Sequence, residues 1–181
     1  QPIARIAEIL KDYPACRLHV DATQAVGKTK LVLDGVDTVS LAPHKFYGLG
    51  ASGLLIRRRN VELYPLIQGG ASVTAYRSGT PTLALGAALE VALRLALTHN
   101  AERISIVEKH NLTLRRALSA YPNVVVNSPE DAVPHILNLS VKDVKGTVFQ
   151  RTLNEFGVCV SVKSACSTDG QPSKAVLAVC H

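Results

Sequence analysis

Three short apolar segments in the first third of the chain limit its fold more than any other feature. They cover residues 17–20, 36–41 and 52–56, and a stretch with isoleucine and leucine at helical spacing precedes them over residues 2–13. Short apolar runs of this kind, bounded by turn residues, predict buried strands. A helix followed by such strands, without hairpin signals, predicts an α/β sheet.

The apolar stretches become longer from Thr80 onward. The later elements are predicted as helices over 83–97, 101–120 and 147–156 and strands over 124–126, 136–141 and 158–162. Pro81 suits the first turn of the first helix, which is apolar enough to be buried on most sides, and Gly157 suits the end of the last helix. The break near His99 and Asn100 predicts a boundary to a second, compact α/β domain.

The composition is that of a globular protein without a membrane span. The 181 residues are 47% hydrophobic and 19% charged, which allows one ordinary core, or a partial core and a small second domain. The longest apolar stretch is interrupted by Glu90 and Arg94 and is shorter than the roughly 20 residues that a bilayer requires. The chain opens on Gln1, contains no Met and shows no secretory signal, so we expect the native start to be missing.

The distribution of charges argues against a nucleic-acid-binding protein, and the cysteines argue against a disulfide-rich protein. The formal net charge is +6, but the basic residues are scattered, and the one run, at residues 57–59, has no aromatic residues among it. We interpret this run as a solvated strand end and expect no direct binding of nucleic acid. Four cysteines without CxxC spacing are too few for a disulfide framework, which predicts a reducing cytoplasm and no metal site.

Two residues with complementary chemistry follow the first two predicted strands. Asp21 ends the first strand, and Lys45 lies 24 residues later, just after the second. A lysine amine can hold a carbonyl cofactor as a Schiff base, and a carboxylate can keep a ring nitrogen protonated so that the ring accepts electrons. Because α/β folds bind ligands where their strands end, the pair predicts a cofactor site. Taken alone, a lysine after a histidine is more often solvated surface.

Cys166 is the cysteine whose surroundings favour reactivity. It lies in a polar, glycine-containing segment with Lys163 three residues before it, whereas Cys159 and Cys180 lie in apolar segments typical of buried, structural cysteines. A thiol acts as a nucleophile in its thiolate form, which needs access and nearby positive charge. We therefore interpret Cys166 as a nucleophile, with an exposed, unreactive thiol as the alternative.

A third motif, Arg77-Ser78-Gly79-Thr80, stands at the start of a predicted helix. The free amides and the dipole of a helix N-terminus bind phosphates, and Thr80 adds a hydroxyl group. The alternative is that Thr80 only caps the helix.

Three segments, taken in order, resemble the cysteine desulfurases, which are pyridoxal-phosphate (PLP) enzymes of the class V aminotransferase superfamily. They are His19-Val-Asp21-Ala-Thr-Gln24, His44-Lys45 and Ser164-Ala-Cys166-Ser167, and the last resembles the group with a long cysteine loop. The resemblance implies an α/β fold in which residues 1–99 form the C-terminal part of the PLP-binding large domain, with a mainly parallel sheet. Residues 100–181 would be most of the small domain with the cysteine loop. The chain would be the middle and later part of such an enzyme.

The resemblance also implies a role for each residue of the cofactor site. Lys45 would be the Schiff-base lysine, Asp21 would pair with the pyridine nitrogen, and Gln24 would hydrogen-bond the phenolic oxygen. His44 would lie on the phosphate side, and Thr80 would reach the phosphate of the other subunit, which implies a homodimer.

The activity implied by the resemblance is conversion of L-cysteine to L-alanine, with Cys166 taking the sulfur as a persulfide for iron–sulfur cluster or thio-cofactor synthesis. The partner would be a sulfur acceptor such as an iron–sulfur scaffold protein. The sequence departs from the family at Ala42, where a phosphate-binding serine is usual, and at Ser72 and Val73. The alternatives are a selenocysteine lyase and a non-catalytic module with the same fold.

Overall fold

A computed structural model describes residues 1–70, 75–162, 176 and 178 of the chain. The elements are α1 (Ile3–Leu10), β1 (His19–Asp21), β2 (Thr38–Leu41), β3 (Leu54–Arg57), α2 (Leu83–Thr98), α3 (Asn100–Leu118), β4 (Val124–Val126), β5 (Leu139–Val141) and α4 (Gly146–Glu155). They divide into two compact units, Gln1–Ile104 and Ser105–His181. The α/β class is confirmed, and the domains 1–99 and 100–181 stay a prediction.

The sheet of the first unit has the strand order β1-β2-β3. β1 and β2 are parallel, and Asp21 at the end of β1 pairs with Ser40. β3 is antiparallel to β2, so the sheet is mixed and the expected parallel pairing holds for β1 and β2. A strand that pairs in parallel with the strand before it usually needs a helical crossover. The link from β2 to the antiparallel β3 instead contains a 3-10 turn at Pro43–Lys45.

The two faces of this sheet differ in polarity. Val39 and Leu41 of β2 are buried, whereas Thr38 and Ser40, which alternate with them, are partly exposed. Successive side chains of a strand point to opposite faces, so one face belongs to the core and the other carries hydroxyl groups. The core is a cluster of small and medium apolar residues: Ala22, Val26, Val36, Val39, Leu41, Phe46, Ala92 and Ala96.

Helix α2 contributes one face to this core. Ala92 and Ala96 are buried, but Leu83, Val91 and Leu97 are 81%, 42% and 51% exposed, so the prediction of a helix buried on most sides was wrong for this unit. The sheet covers the helix from one side, which leaves the opposite stripe of apolar residues uncovered. None of the helices among the described residues has both the length and the apolar character needed to cross a bilayer.

The arginine run at residues 57–59 makes more hydrogen bonds to the protein than the side chains of a solvated strand end would make. Arg57 Nη1 donates to the carbonyl oxygens of Arg58, Arg59 and Val61 at 3.0, 3.0 and 2.7 Å. Arg58 donates from Nε to Val36 O at 2.7 Å and from Nη2 to Leu33 O at 3.1 Å. Two of the three guanidinium groups therefore satisfy backbone carbonyls of the loops around the sheet.

In the second unit, β4 and β5 form an antiparallel pair, followed by α4. Gly157, which follows the C-cap residue Phe156 of this helix, has a φ of +74°, the left-handed conformation that ends many helices. The predicted strand over 158–162 was wrong, because those residues join no sheet in the described part of the chain. Instead, Gln150 Nε2 of α4 donates to Val160 O at 2.8 Å. Cys159 is exposed there, contrary to its interpretation as a buried cysteine.

Gly48 is packed closely against both Pro43 of the 3-10 turn and Ala92 of α2. A Cβ added at Gly48 would lie 2.7 Å from Pro43 Cβ and 3.1 Å from Ala92 Cβ, and Pro43 is a rigid, fully buried ring. We expect Gly48→Ala to lower the free energy of unfolding by about 1–3 kcal/mol through overpacking, as measured by urea unfolding. Gly50→Ala is the matched control, because its Cβ would meet nothing within 4 Å. Equal stability of the two variants would contradict this packing.

Candidate functional site

The carboxyl ends of β1 and β2 place two predicted site residues at one edge of the sheet. Because the strands are parallel, Asp21 at the end of β1 and the 3-10 turn after β2 lie at the same edge. Pro43 and Phe46 are buried on either side of His44 and Lys45, which are exposed. The backbone amides of Lys45 and Phe46 donate to Ala42 O and Pro43 O at 3.1 and 2.9 Å. Apolar anchors thus present the Lys45 amine at the surface.

Asp21 is an exposed carboxylate that its surroundings keep ionised. Its Oδ1 accepts a hydrogen bond from the backbone amide of Thr23 at 2.9 Å. The Thr23 hydroxyl is the largest cause that lowers the pKa of Asp21, followed by the Thr23 amide, while His19 and Ser40 lower it less. His19 itself is held through Nδ1 by Thr38 Oγ1 at 2.8 Å. An ionised carboxylate in this position can pair with a protonated nitrogen.

This account of Asp21 predicts the effect of losing one hydroxyl group. Thr23→Val keeps the backbone amide and the shape but removes the hydroxyl, so the pKa of Asp21 should rise toward its usual value of 3.8. Ser40→Ala, the matched control, should raise that pKa less, because Ser40 is the weakest contributor. A carboxyl-carbon NMR titration of the cofactor-free protein measures both values.

The same titration has a consequence for stability. A pKa that is lower in the folded than in the unfolded chain stabilises the fold above the unfolded value, and this contribution is lost as the pH falls through the folded value. In Thr23→Val this contribution should therefore be smaller, and its loss, which starts near the unfolded value in both proteins, should be complete at a higher pH than in the parent protein. An unchanged Asp21 pKa in that variant would show that the hydroxyl does not act on the carboxylate.

Gln24 and Lys28 form a pair in the turn that follows β1. Lys28 Nζ donates to Gln24 Oε1 at 2.7 Å, and Lys28 is half-buried while Gln24 is exposed. Burial lowers the pKa of Lys28, and the positive charge of Lys45 lowers it further. The sequence interpretation missed Lys28, although its place four residues after Gln24, in the turn that follows β1, allows the two side chains to meet.

The remaining predicted site residues lie before α2 or outside the described residues. Thr80 is exposed and lies before α2, which begins at Leu83 with Thr82 in the N-cap position, so the alternative that Thr80 caps the helix was wrong. Thr82 has extended backbone angles, so the helical conformation begins only at the residue after it, Leu83. Cys166 and Lys163, like Ser72 and Val73, lie outside the described residues.

The described side chains set limits on the chemistry of this edge. Within residues 1–70 and 75–162, Lys45 Nζ has no hydrogen-bond or ion-pair partner, and no group of three His, Cys, Asp or Glu residues could hold a metal ion. A free amine, an ionised carboxylate and a primary amide are therefore among the reactive and polar groups that this edge offers. They suit a ligand with a carbonyl carbon and a protonated nitrogen.

Comparisons with known proteins agree with this chemistry. The family model described as aminotransferase class V matches residues 1–181. The chain is 36% identical to the NifS/IcsS protein homolog of Lactobacillus delbrueckii subsp. bulgaricus, covering 93% of this chain and 45% of the relative. It is 33% identical to the cysteine desulfurase IscS of Dictyoglomus turgidum, covering 99% and 46%.

The fold has similar solved structures as well. A NifS-like protein superposes with a TM-score of 0.81 at 29% identity, covering 90% of this chain and 46% of that chain. The chain thus spans about half the length of the curated relatives and of the solved structure that it matches.

Proposed function

Since this chain belongs to the class V aminotransferase family, we propose that its protein is a PLP-dependent cysteine desulfurase that converts L-cysteine to L-alanine. The predicted family is confirmed, and the relatives described above are a cysteine desulfurase and a NifS homologue. The observation that carries the proposal is the placement of Asp21 and Lys45 at the ends of neighbouring parallel strands, in a chain similar to those enzymes.

The residues at the sheet edge fit this cofactor. The Asp21 carboxylate, which stays ionised, suits the protonated ring nitrogen, and the exposed Lys45 amine suits the aldehyde. Gln24 can donate to a ring oxygen, and the exposed His44 beside Lys45 would lie toward the phosphate. PLP, when bound, supplies a ring that accepts the electron pair left on the substrate carbon.

Cys166 would receive the sulfur in this reaction. Its thiolate forms a bond to the sulfur of L-cysteine, while the bond between that sulfur and its carbon breaks. The electron pair of the broken bond stays with the carbon, which gains a proton and leaves as alanine. Cys166 keeps the sulfur as a persulfide, so no outside oxidant or reductant is needed for this step.

The proposal extends to partners and location. The persulfide sulfur would pass to an acceptor such as an iron–sulfur scaffold protein, for iron–sulfur cluster or thio-cofactor synthesis. Thr80 would complete the phosphate site of a second copy in a homodimer, and its exposed position before α2 is compatible with contact to another chain. We place the protein in the cytoplasm, because a reducing setting keeps the Cys166 thiol available.

Two alternatives share the fold. A selenocysteine lyase would use the same residues on selenocysteine, and a non-catalytic module would keep the fold without turnover, which Ala42 and Val73 would allow. The names of the relatives favour the cysteine desulfurase.

One assay on the full-length protein separates the three functions. It measures alanine together with sulfide from L-cysteine, and alanine together with selenide from selenocysteine, after the protein has been loaded with PLP. We expect alanine and sulfide in equal amounts when a reductant releases the persulfide. Turnover of selenocysteine alone would support the lyase, and PLP binding without either turnover would support the module.

A further inference from the structure

Lys28 is a half-buried amine at the site edge that the proposed reaction does not use. It lies in the turn after β1, and its Nζ donates to Gln24 Oε1 at 2.7 Å. Most lysines on protein surfaces extend into water, and holding one in a single geometry costs side-chain entropy. A fixed Lys28 beside an exposed Gln24 therefore points to a role for the pair.

The chemistry of lysine decides which end of the Gln24 amide faces the site. A lysine ammonium has three donors and no acceptor, so it can bind only the carbonyl oxygen of an amide. Because Lys28 engages one lone pair of Oε1 and so fixes the orientation of the amide, the two Nε2 hydrogens of Gln24 remain to donate to a ligand. Without Lys28 the amide could turn and offer either its oxygen or its nitrogen.

The backbone under this pair is anchored at both ends. The amides of Val26 and Lys28 donate to Ala22 O and Ala25 O at 3.1 and 3.0 Å. At the far end, Asn100 Nδ2 of α3 donates to Thr29 O at 3.1 Å. Val26 is 1% exposed in the core cluster, so the turn cannot shift without disturbing the core. The Lys28 side chain thus starts from a fixed position.

Lys28 also lies within electrostatic reach of Lys45. Burial lowers the pKa of Lys28 most, and the positive charge of Lys45 lowers it further. The interaction of two charges weakens with distance and with water between them. Gln24 and Lys28 follow β1, Lys45 follows β2, and the two strands are parallel, so the Gln24 amide lies at the same edge of the sheet as the amine that would carry the ligand.

We propose that Lys28 is a positioning residue that, by binding Gln24 Oε1, fixes the Gln24 amide as a hydrogen-bond donor to an oxygen atom of the ligand held at Lys45. The inference rests on the proposed function, in which that ligand is a cofactor with a ring oxygen. A ligand oxygen that carries negative charge gains most from such a donor.

The test compares Lys28→Met with Lys28→Arg in the full-length protein. Methionine keeps an unbranched side chain but cannot donate, whereas arginine can still donate to Gln24 Oε1. We expect about tenfold weaker PLP binding in Lys28→Met, because the ligand oxygen loses a correctly oriented donor. The pH midpoint of the absorbance of bound PLP should shift in the same variant. Lys28→Arg should restore both values toward those of the parent, and Lys30→Met, at a nearby exposed lysine, should match the parent.

A second readout needs no cofactor. In the cofactor-free parent protein, the Gln24 side-chain amide should give restrained NMR signals, which Lys28→Met should convert to those of a freely rotating amide. Free rotation in the parent itself would overturn the proposal even if the methionine variant did not fold. The failure of the proposed function looks different, because then no PLP would attach to Lys45 in the parent. If PLP attaches and Lys28→Met matches the parent in both readouts, the role of Lys28 alone is refuted.

Discussion

Replacing Lys45 with alanine is expected to abolish covalent attachment of PLP and release of sulfide from L-cysteine in the full-length protein. Lys45 is exposed at the sheet edge, and within the described ranges its Nζ is not engaged by any hydrogen bond or ion pair, so its amine is available to an aldehyde. The yellow absorbance of the lysine-bound cofactor should disappear in Lys45→Ala. This absorbance should persist in Lys30→Ala, the matched control, which removes an exposed lysine from the segment that follows β1.

Lys28 provides a second lysine at which attachment of the cofactor can be tested. Its amine lies in the turn after β1, and burial together with the charge of Lys45 lowers its pKa, which favours the uncharged, nucleophilic form. Borohydride reduction followed by mass spectrometry should find the cofactor on Lys45 in the parent and on no lysine in Lys45→Ala. A reducible adduct on Lys28 in the parent protein would move the assignment from Lys45 to Lys28.

Replacing Cys166 with serine is expected to stop sulfide release while leaving PLP bound. A hydroxyl group is a far weaker nucleophile than a thiolate, so the variant should bind L-cysteine but leave its sulfur in place. The absorbance of the lysine-bound cofactor should match that of the parent. Mass spectrometry after brief exposure of the parent to L-cysteine should find the added sulfur on Cys166.

The structure supplies the controls for this prediction. Cys16 and Cys159 are free and exposed, so both would react if access to solvent were sufficient. Cys16→Ser and Cys159→Ser should keep the activity of the parent protein. Persulfide on either of these cysteines, together with an active Cys166→Ser variant, would refute the proposed nucleophile.

The sequence was sufficient for features that depend on neighbours along the chain. The helices predicted over 83–97, 101–120 and 147–156 were confirmed within a few residues, because the apolar periodicity of a helix is local. The first three strands were confirmed as well, with ends shifted by one or two residues. Asp21 and Lys45 were predicted at strand ends for the same reason, and the parallel pairing of β1 and β2 brings those ends to one edge.

Tertiary structure alone decided the features that depend on a distant partner. The direction of β3, the absence of β pairing over 158–162 among the described residues and the one-sided burial of α2 each follow from which surfaces meet across the fold. Arg58 reaches carbonyl groups more than twenty residues away, at Leu33 and Val36, which no local pattern encodes. The shared location of Lys28 and Lys45 is of this kind too: they lie in different turns, and the parallel pairing of β1 and β2 brings both turns to one sheet edge, where the charge of Lys45 lowers the pKa of Lys28.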